Sequence, residues 1–357
     1  MSNSPAGPAT PPTAARDTVV VFCQAPADIK HALTLYEQEN ERSFFHFYVV
    51  TVEGMAQFLR SLNLANASVE FLGSPPWSPT LKHVWNNLSV VKWLRAARDA
   101  HFAGLSNARV YYFTNDRDWV TASFVAYLSR RNHVTHISHY PYVCTPVQAD
   151  LKARLVMWVF RWLTGARMEW RRIEDADCLS MVVYFRHDLH AIPTQPANPD
   201  SSEVLRKYAY EPDTAPENAI LYFDAPDEDD AIDRYDERLG EIIGALIQSG
   251  SAILVKPHPR LPCSLPLQQE RRLHVLAAYV PGEFLPLRRF KAVLGISSAA
   301  LGEAGVQRAG QRVYSIIDLF EWRKPAEHAY YRSLVSRYAR DQITFTESLA
   351  DLAVIGH

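Results

Sequence analysis

The stretch SAILVKPHPR, Ser251 to Arg260, decides how the chain is read. Ile253 to Val255 is an apolar run short enough to be a buried strand, and it empties into Lys256, Pro257, His258, Pro259 and Arg260. Those polar groups lie just past the carboxyl end of a strand, where open α/β sheets bind ligands. A second stretch, KAVLGISSAALG from Lys291 to Gly302, repeats the layout. Ala292 to Ile296 is again a buried-strand run, followed by Ser297, Ser298 and a small-residue helix start whose hydroxyls and N–H groups suit an anion. Each stretch also has a plain structural reading: Lys-Pro-His-Pro as a loop stiffened by its prolines, Ser-Ser as a helix cap. Their succession, each after a buried strand, favours a shared phosphate ligand contacted by Lys256, His258, Pro259, Arg260, Gly295, Ser297 and Ser298.

Around these stretches the chain has 357 residues, enough for two domains with separate cores. A hydrophobic content of 48% and a formal charge of −2 describe a soluble globular protein and offer no electrostatic case for nucleic acid. Cys23, Cys144, Cys178 and Cys263 are too far apart in sequence to suggest a zinc knuckle or a disulfide framework, which fits a reducing cytoplasm. Residues 1–16 are rich in Pro, Ala and Ser without an apolar secretory core, and read as a disordered lead. No apolar run is long enough to span a bilayer, so any membrane contact is expected to be peripheral.

Residues 17–195 read as a first doubly wound domain. Thr18 to Cys23 is its first strand, ending in Gln24-Ala25-Pro26 before a helix over Asp28 to Glu39, and the glycine-rich dinucleotide fingerprint is missing from that turn. Phe44 to Thr51 and Ser68 to Leu72 continue as strands around a helix at Met55 to Leu62. In the loop Gly73 to Pro79, Trp77 serves either as a sugar platform or as a plug on the core. A long helix follows over Leu81 to Ala100. The strand Arg109 to Phe113 runs into Asp116 and Asp118, Val120 to Arg131 is helical, and the strand His133 to Ser138 runs into His139. His133, His136 and His139 cannot converge on a metal, because alternation along a strand puts His136 on the opposite face. Leu151 to Arg172 reads as one helical stretch, which Gly165 could divide. It carries Trp158 and Trp162 among basic residues, a pattern shared by membrane-surface helices and by helices packed on their own domain.

His190 to Pro216 has linker composition, the linker itself being set at 196–216, and a second domain occupies 217–357. Its strands are expected at Ala219 to Phe223, in the SAILVKPHPR stretch, at His274 to Tyr279, at Phe284 to Phe290, at Ala292 to Ile296 and at Val313 to Ile317. Asp233 to Gln248, Glu327 to Arg340 and Thr346 to Val354 are read as helices. The acidic run Asp224 to Asp230 is read as a solvated loop.

KPHPR followed by a strand and SSAAL resembles the His-Pro and Ser-Ser motifs of bacterial GT-B sialyltransferases, polysialyltransferases and related enzymes that use CMP-activated nonulosonic acids. The resemblance covers about Ala219 to Ile317. It implies an α/β GT-B fold, two Rossmann-like doubly wound domains facing across a cleft, with the donor in the second domain and a glycan or glycolipid acceptor in the first. It further implies that His258 assists departure of CMP while Ser297 and Ser298 hold its phosphate, with no metal and no cofactor beyond the CMP-sugar. Two family features are altered. The proline-flanked acid that binds the donor ribose is absent beside Leu285-Pro286-Leu287, leaving Glu283 as the nearest substitute. The acidic pair that supplies the acceptor base is replaced by Ser138-His139-Tyr140, so the base is expected to be His139 first and Asp116 second. Phosphotransferases using CDP-polyols, UDP-sugar transferases, and a non-catalytic sugar- or nucleotide-binding relative remain as alternatives on the same fold.

Overall fold

The computed structural model describes residues 16–50, 52–73, 84–113, 119–139, 144–146, 148, 150–173, 182–187, 192–197, 201–212, 216, 218–225, 230–307 and 312–356. Residues 1–15, Trp77, Asp116, Asp118 and part of the acidic loop after Asp224 lie outside the described residues.

The first domain runs β1 (Asp17–Cys23), α1 (Pro26–Glu39), β2 (Ser43–Val49), α2 (Glu53–Ser61), β3 (Ala67–Phe71), α3 (Val84–His101), β4 (Arg109–Phe113), α4 (Trp119–Leu128) and β5 (His133–Ser138). Val19 to Cys23 are wholly buried, as expected of a central parallel strand covered by helices on both faces. Between β5 and the edge strand lies an insertion: β6 (Cys144–Pro146), α5 (Leu151–Thr164), β7 (Ala166–Ile173) and β8 (Val182–His187), whose strands form an antiparallel sheet ordered β6-β7-β8. β9 (Thr194–Pro196) then completes a parallel sheet ordered β3-β2-β1-β4-β5-β9.

The single helical stretch expected over Leu151 to Arg172 is therefore corrected. Gly165, at φ 79°, donates its N–H to the carbonyl of Arg161 and ends α5 in a left-handed cap, and the chain leaves as β7. In Arg167 to Ile173 the apolar residues Met168 and Trp170 alternate with Glu169 and Arg171, a period-two signal that the helical reading overrode.

Residues 201–212 include α6 (Ser202–Lys207), and the second domain continues with β10 (Ile220–Phe223), β11 (Ile232–Asp233), α7 (Tyr235–Gln248), β12 (Ile253–Lys256), α8 (Leu265–Gln269) and β13 (Leu273–Val275). After two single-turn 3₁₀ segments come β14 (Ala292–Gly295), α9 (Ala299–Gln307), β15 (Val313–Ser315), β16 (Glu321–Trp322), α10 (Pro325–Tyr338), β17 (Thr344–Phe345) and α11 (Leu349–Gly356). The parallel sheet is ordered β13-β12-β10-β14-β15-β17, with β11 and β16 a separate antiparallel pair. The strand expected at Phe284 to Phe290 is absent. Gly282–Phe284 and Leu287–Arg289 are 3₁₀ turns that start behind Pro281 and Pro286, and a proline without an N–H cannot sit inside a central strand. The strand expected over His274 to Tyr279 stops at Val275.

Both sheets are doubly wound, so each has a point where the chain order reverses: between β1 and β4 in the first, between β10 and β14 in the second. This is the two-domain, Rossmann-like GT-B architecture expected from the sequence. Each domain has an apolar core of its own, and a third is shared between them. The shared core joins Val49 and Phe58 to Leu221, Phe284 and Leu301, with the rings of Phe58 and Phe284 5.0 Å apart.

Candidate active site

At the reversal point of the first sheet only two residues separate the end of β1 from the start of α1, which places Asp28 in the first turn of the helix with no exposure. Its Oδ2 accepts the N–H groups of Gln24 (2.7 Å) and Ala25 (2.8 Å), closing the helix start. Its Oδ1 lies 2.7 Å from Nε2 of His139, which enters from the end of β5. A carboxylate only accepts, so Nε2 bears the imidazole proton and Nδ1 is left with the basic lone pair. His31, one turn along α1 from Asp28, lies against His139 with ring centroids 4.7 Å apart, and Phe113 at the end of β4 lies beside both rings. Burial, then His139, then Lys30 pull the His31 pKa down to about 3, so this ring is neutral at ordinary pH, and its Nδ1 is buried without a hydrogen-bond partner.

In the second domain the residues that the sequence singled out occupy neighbouring strand ends. His258 is half-buried after β12, and its Nδ1 accepts the N–H of Arg260 at 3.3 Å, which makes Nε2 the proton-bearing nitrogen of the neutral ring. Pro259 is half-buried beside it and Arg260 is exposed. Lys256 is 4% exposed and its ammonium donates to the carbonyls of Pro257 and Ala278 (3.1 Å for the latter). Burial lowers its pKa to about 8 against the opposing pull of Glu283 and Asp224. Its charge thus braces the His-Pro loop from below. Ser298 caps α9, its Oγ accepting the N–H of Leu301 at 3.1 Å, and Ser297 is half-buried just before it. Gly295 ends β14 packed on β10; a Cβ there would stand 3.3 Å from that of Phe223. Asp224, which follows β10 between these loops, is tied to Ser264 through its N–H (2.9 Å) and its hydroxyl (2.6 Å).

Glu283 is 5% exposed, its carboxyl pushed up chiefly by burial, and Oε2 has no hydrogen-bond partner. It lines a cavity of about 1010 Å³ together with Arg206, Arg288, Glu303 and Gln307.

The two halves meet through α1 and α9. Each helix begins at its own sheet's reversal point, and Lys30 in the second turn of α1 pairs with Glu303 in the second turn of α9 at 2.6 Å. With an axial rise of about 1.5 Å per residue, that pairing sets both helix starts around one interdomain cleft. Asp28 and His31 were read in the sequence only as parts of a helix. The available signal was an acid and a histidine three residues apart, on one helical face directly after a buried strand. Asp116, the second candidate for the base, lies outside the described residues. Among the described residues no cluster of His, Cys, Asp or Glu has a metal-binding arrangement.

No protein-family model and no curated protein matches the chain. Solved structures similar to it include a UDP-GlcNAc 2-epimerase from Methanocaldococcus jannaschii (12% identity, 96% of this chain and 91% of that one, TM-score 0.47). Others are the glycosyltransferase of kitacinnamycin (10%, 96% and 92%, 0.45) and a family 9 glycosyl transferase from Veillonella parvula (14%, 84% and 80%, 0.36).

Proposed function

We propose that the chain is an inverting glycosyltransferase that moves a nonulosonic acid from a CMP-activated donor to a glycan or glycolipid acceptor, working in the cytoplasm in surface glycan synthesis. The observation that carries this reading is the buried Asp28–His139 pair, bridged by Lys30–Glu303 to the helix whose start bears Ser298. The acceptor hydroxyl gives its proton to Nδ1 of His139, and Asp28 holds the ring in the tautomer that accepts it. The hydroxyl oxygen attacks the anomeric carbon as the bond to the CMP phosphate breaks, so one in-line displacement inverts the configuration. Charge developing on the phosphate meets the Nε2–H of His258, the hydroxyls of Ser297 and Ser298, and the N-terminus of α9. Glu283, with a raised pKa and an unpartnered oxygen, is chemically suited to a ribose hydroxyl.

Loss of the acidic pair favoured a non-catalytic relative, but Asp28 supplies a carboxylate behind the histidine that stands in its place. Titration calorimetry with CMP, UMP and CDP, followed by transfer assays with CMP-linked nonulosonic acids, tests the proposal. CMP is expected to bind most tightly. Preference for UMP or CDP moves the assignment to UDP-sugar transfer or CDP-polyol phosphotransfer, and CMP binding without transfer to any acceptor moves it to a binding protein.

A further inference from the structure

Helix α5 is apolar on two opposite sides. One side faces inward: Phe160 is fully buried, and Val156 and Met157 pack on the core beneath β1 and α4. The other side faces outward. Leu151 is 83% exposed, Leu155 61%, Trp158 63%, Val159 39% and Trp162 74%. At about 100° of turn per residue these five fall within roughly a third of the helix circumference, opposite Phe160. Packing accounts for the inner side and leaves the outer side unexplained, since two exposed tryptophans one turn apart form a contiguous patch of the kind that marks an interaction surface.

The flanks of the patch indicate what covers it. Lys152 lies along one edge of the outward stripe and Arg154 and Arg161 along the other, all three exposed, and α5 contains no acidic residue, Asp150 standing just before it. No helix among the described residues is long and apolar enough to cross a membrane. A second copy docked through the same patch would set these cations against an identical face without acids. A layer of anionic headgroups over acyl chains matches both features: indole rings settle at the headgroup level and arginines meet phosphates.

We propose that α5 is a membrane-surface helix that seats the first domain on an anionic lipid bilayer, with Trp158 and Trp162 entering the interface and Lys152, Arg154 and Arg161 binding lipid phosphates. The inference is independent of the reaction assigned above. The test is flotation of the full chain with vesicles of phosphatidylcholine containing phosphatidylglycerol, against vesicles of phosphatidylcholine alone. The unaltered protein is expected to float with the anionic vesicles and to lose at least about tenfold in partitioning on neutral ones. Trp158→Ser with Trp162→Ser, and separately Arg154→Glu with Arg161→Glu, are each expected to abolish flotation. Both pairs are exposed, so an unchanged circular dichroism melt separates loss of binding from loss of fold. An unaltered protein that stays at the bottom of the gradient overturns the proposal, as does flotation indifferent to the tryptophan pair. So does a dimer in sedimentation equilibrium that the tryptophan pair dissolves, because the patch would then belong to a second copy.

Discussion

A single carboxylate, that of Asp28, both closes a helix and holds a histidine. Asn in its place keeps an oxygen for the N–H groups of Gln24 and Ala25 but turns a donor toward His139, which reverses the tautomer. Asp28→Asn is therefore expected to leave the fold and CMP affinity intact while lowering turnover by about 10²-fold or more, and His139→Ala to abolish transfer. His258→Ala is expected to lower turnover by about 10²–10⁴-fold through the donor phosphate. Single-turnover transfer with each variant checks the set, and full transfer by His139→Ala would place the base elsewhere. His31 titrates differently. Its folded pKa, about 3, is below the usual value near 6.5, so from pH 6.5 down to 3 the unfolded chain binds the extra proton and stability falls as the solution is acidified. Between pH 7 and pH 5 the loss is expected to be about 2 kcal/mol by proton linkage, read from urea midpoints, and His31→Gln should flatten that slope.

At the level of elements, the central strands were legible because strands buried on both faces are written as short apolar runs, and β4 and β5 fall where the sequence put them. Segments whose conformation depends on tertiary neighbours were not. The run from Phe284 to Phe290 has the composition of a strand, yet Pro281 and Pro286 turn it into 3₁₀ segments that present Phe284 to Phe58 across the domain boundary. In the candidate site, the strand-end positions of His258, Ser297 and Ser298 were readable because each motif directly follows a short buried apolar run. The Asp28–His139 pairing was not, because it joins residues 111 positions apart. The position of α9 depends on another long-range contact, its crossing with α10. A Cβ at Gly302 would stand 2.4 Å from that of Tyr338, and one at Gly305 2.7 Å from that of Ala339. Gly302→Ala is expected to force the helices apart, destabilise the protein by about 1–3 kcal/mol in thermal unfolding, and weaken CMP binding by shifting Ser298.

For the whole molecule, the cleft lies between bodies joined by more than a tether. Lys207, the last residue of α6, and Tyr208 just after it hold Glu37 of α1, and the N–H of Tyr210 donates to the carbonyl of Phe284 at 2.8 Å. Phe58 and Phe284 are each essentially inaccessible to solvent. Phe284→Ala is expected to cost about 3–5 kcal/mol and to lower the stability of both sheets together. Hydrogen exchange at β1 and β10 is the measurement, and protection lost in β10 alone would show that the domains unfold separately.

That shared apolar seam limits how such a chain can be recombined. Two sheets on separate stretches of chain invite exchange of the first domain for another, but a graft at the linker would remove Val49 and Phe58 and leave Leu221, Phe284 and Leu301 facing a foreign surface. A chimera that keeps Lys256 to Arg260 and Gly295 to Ser298 unchanged would still fail unless the incoming domain also brought side chains shaped to that seam, so substitutions within the first domain are accommodated more readily than its replacement.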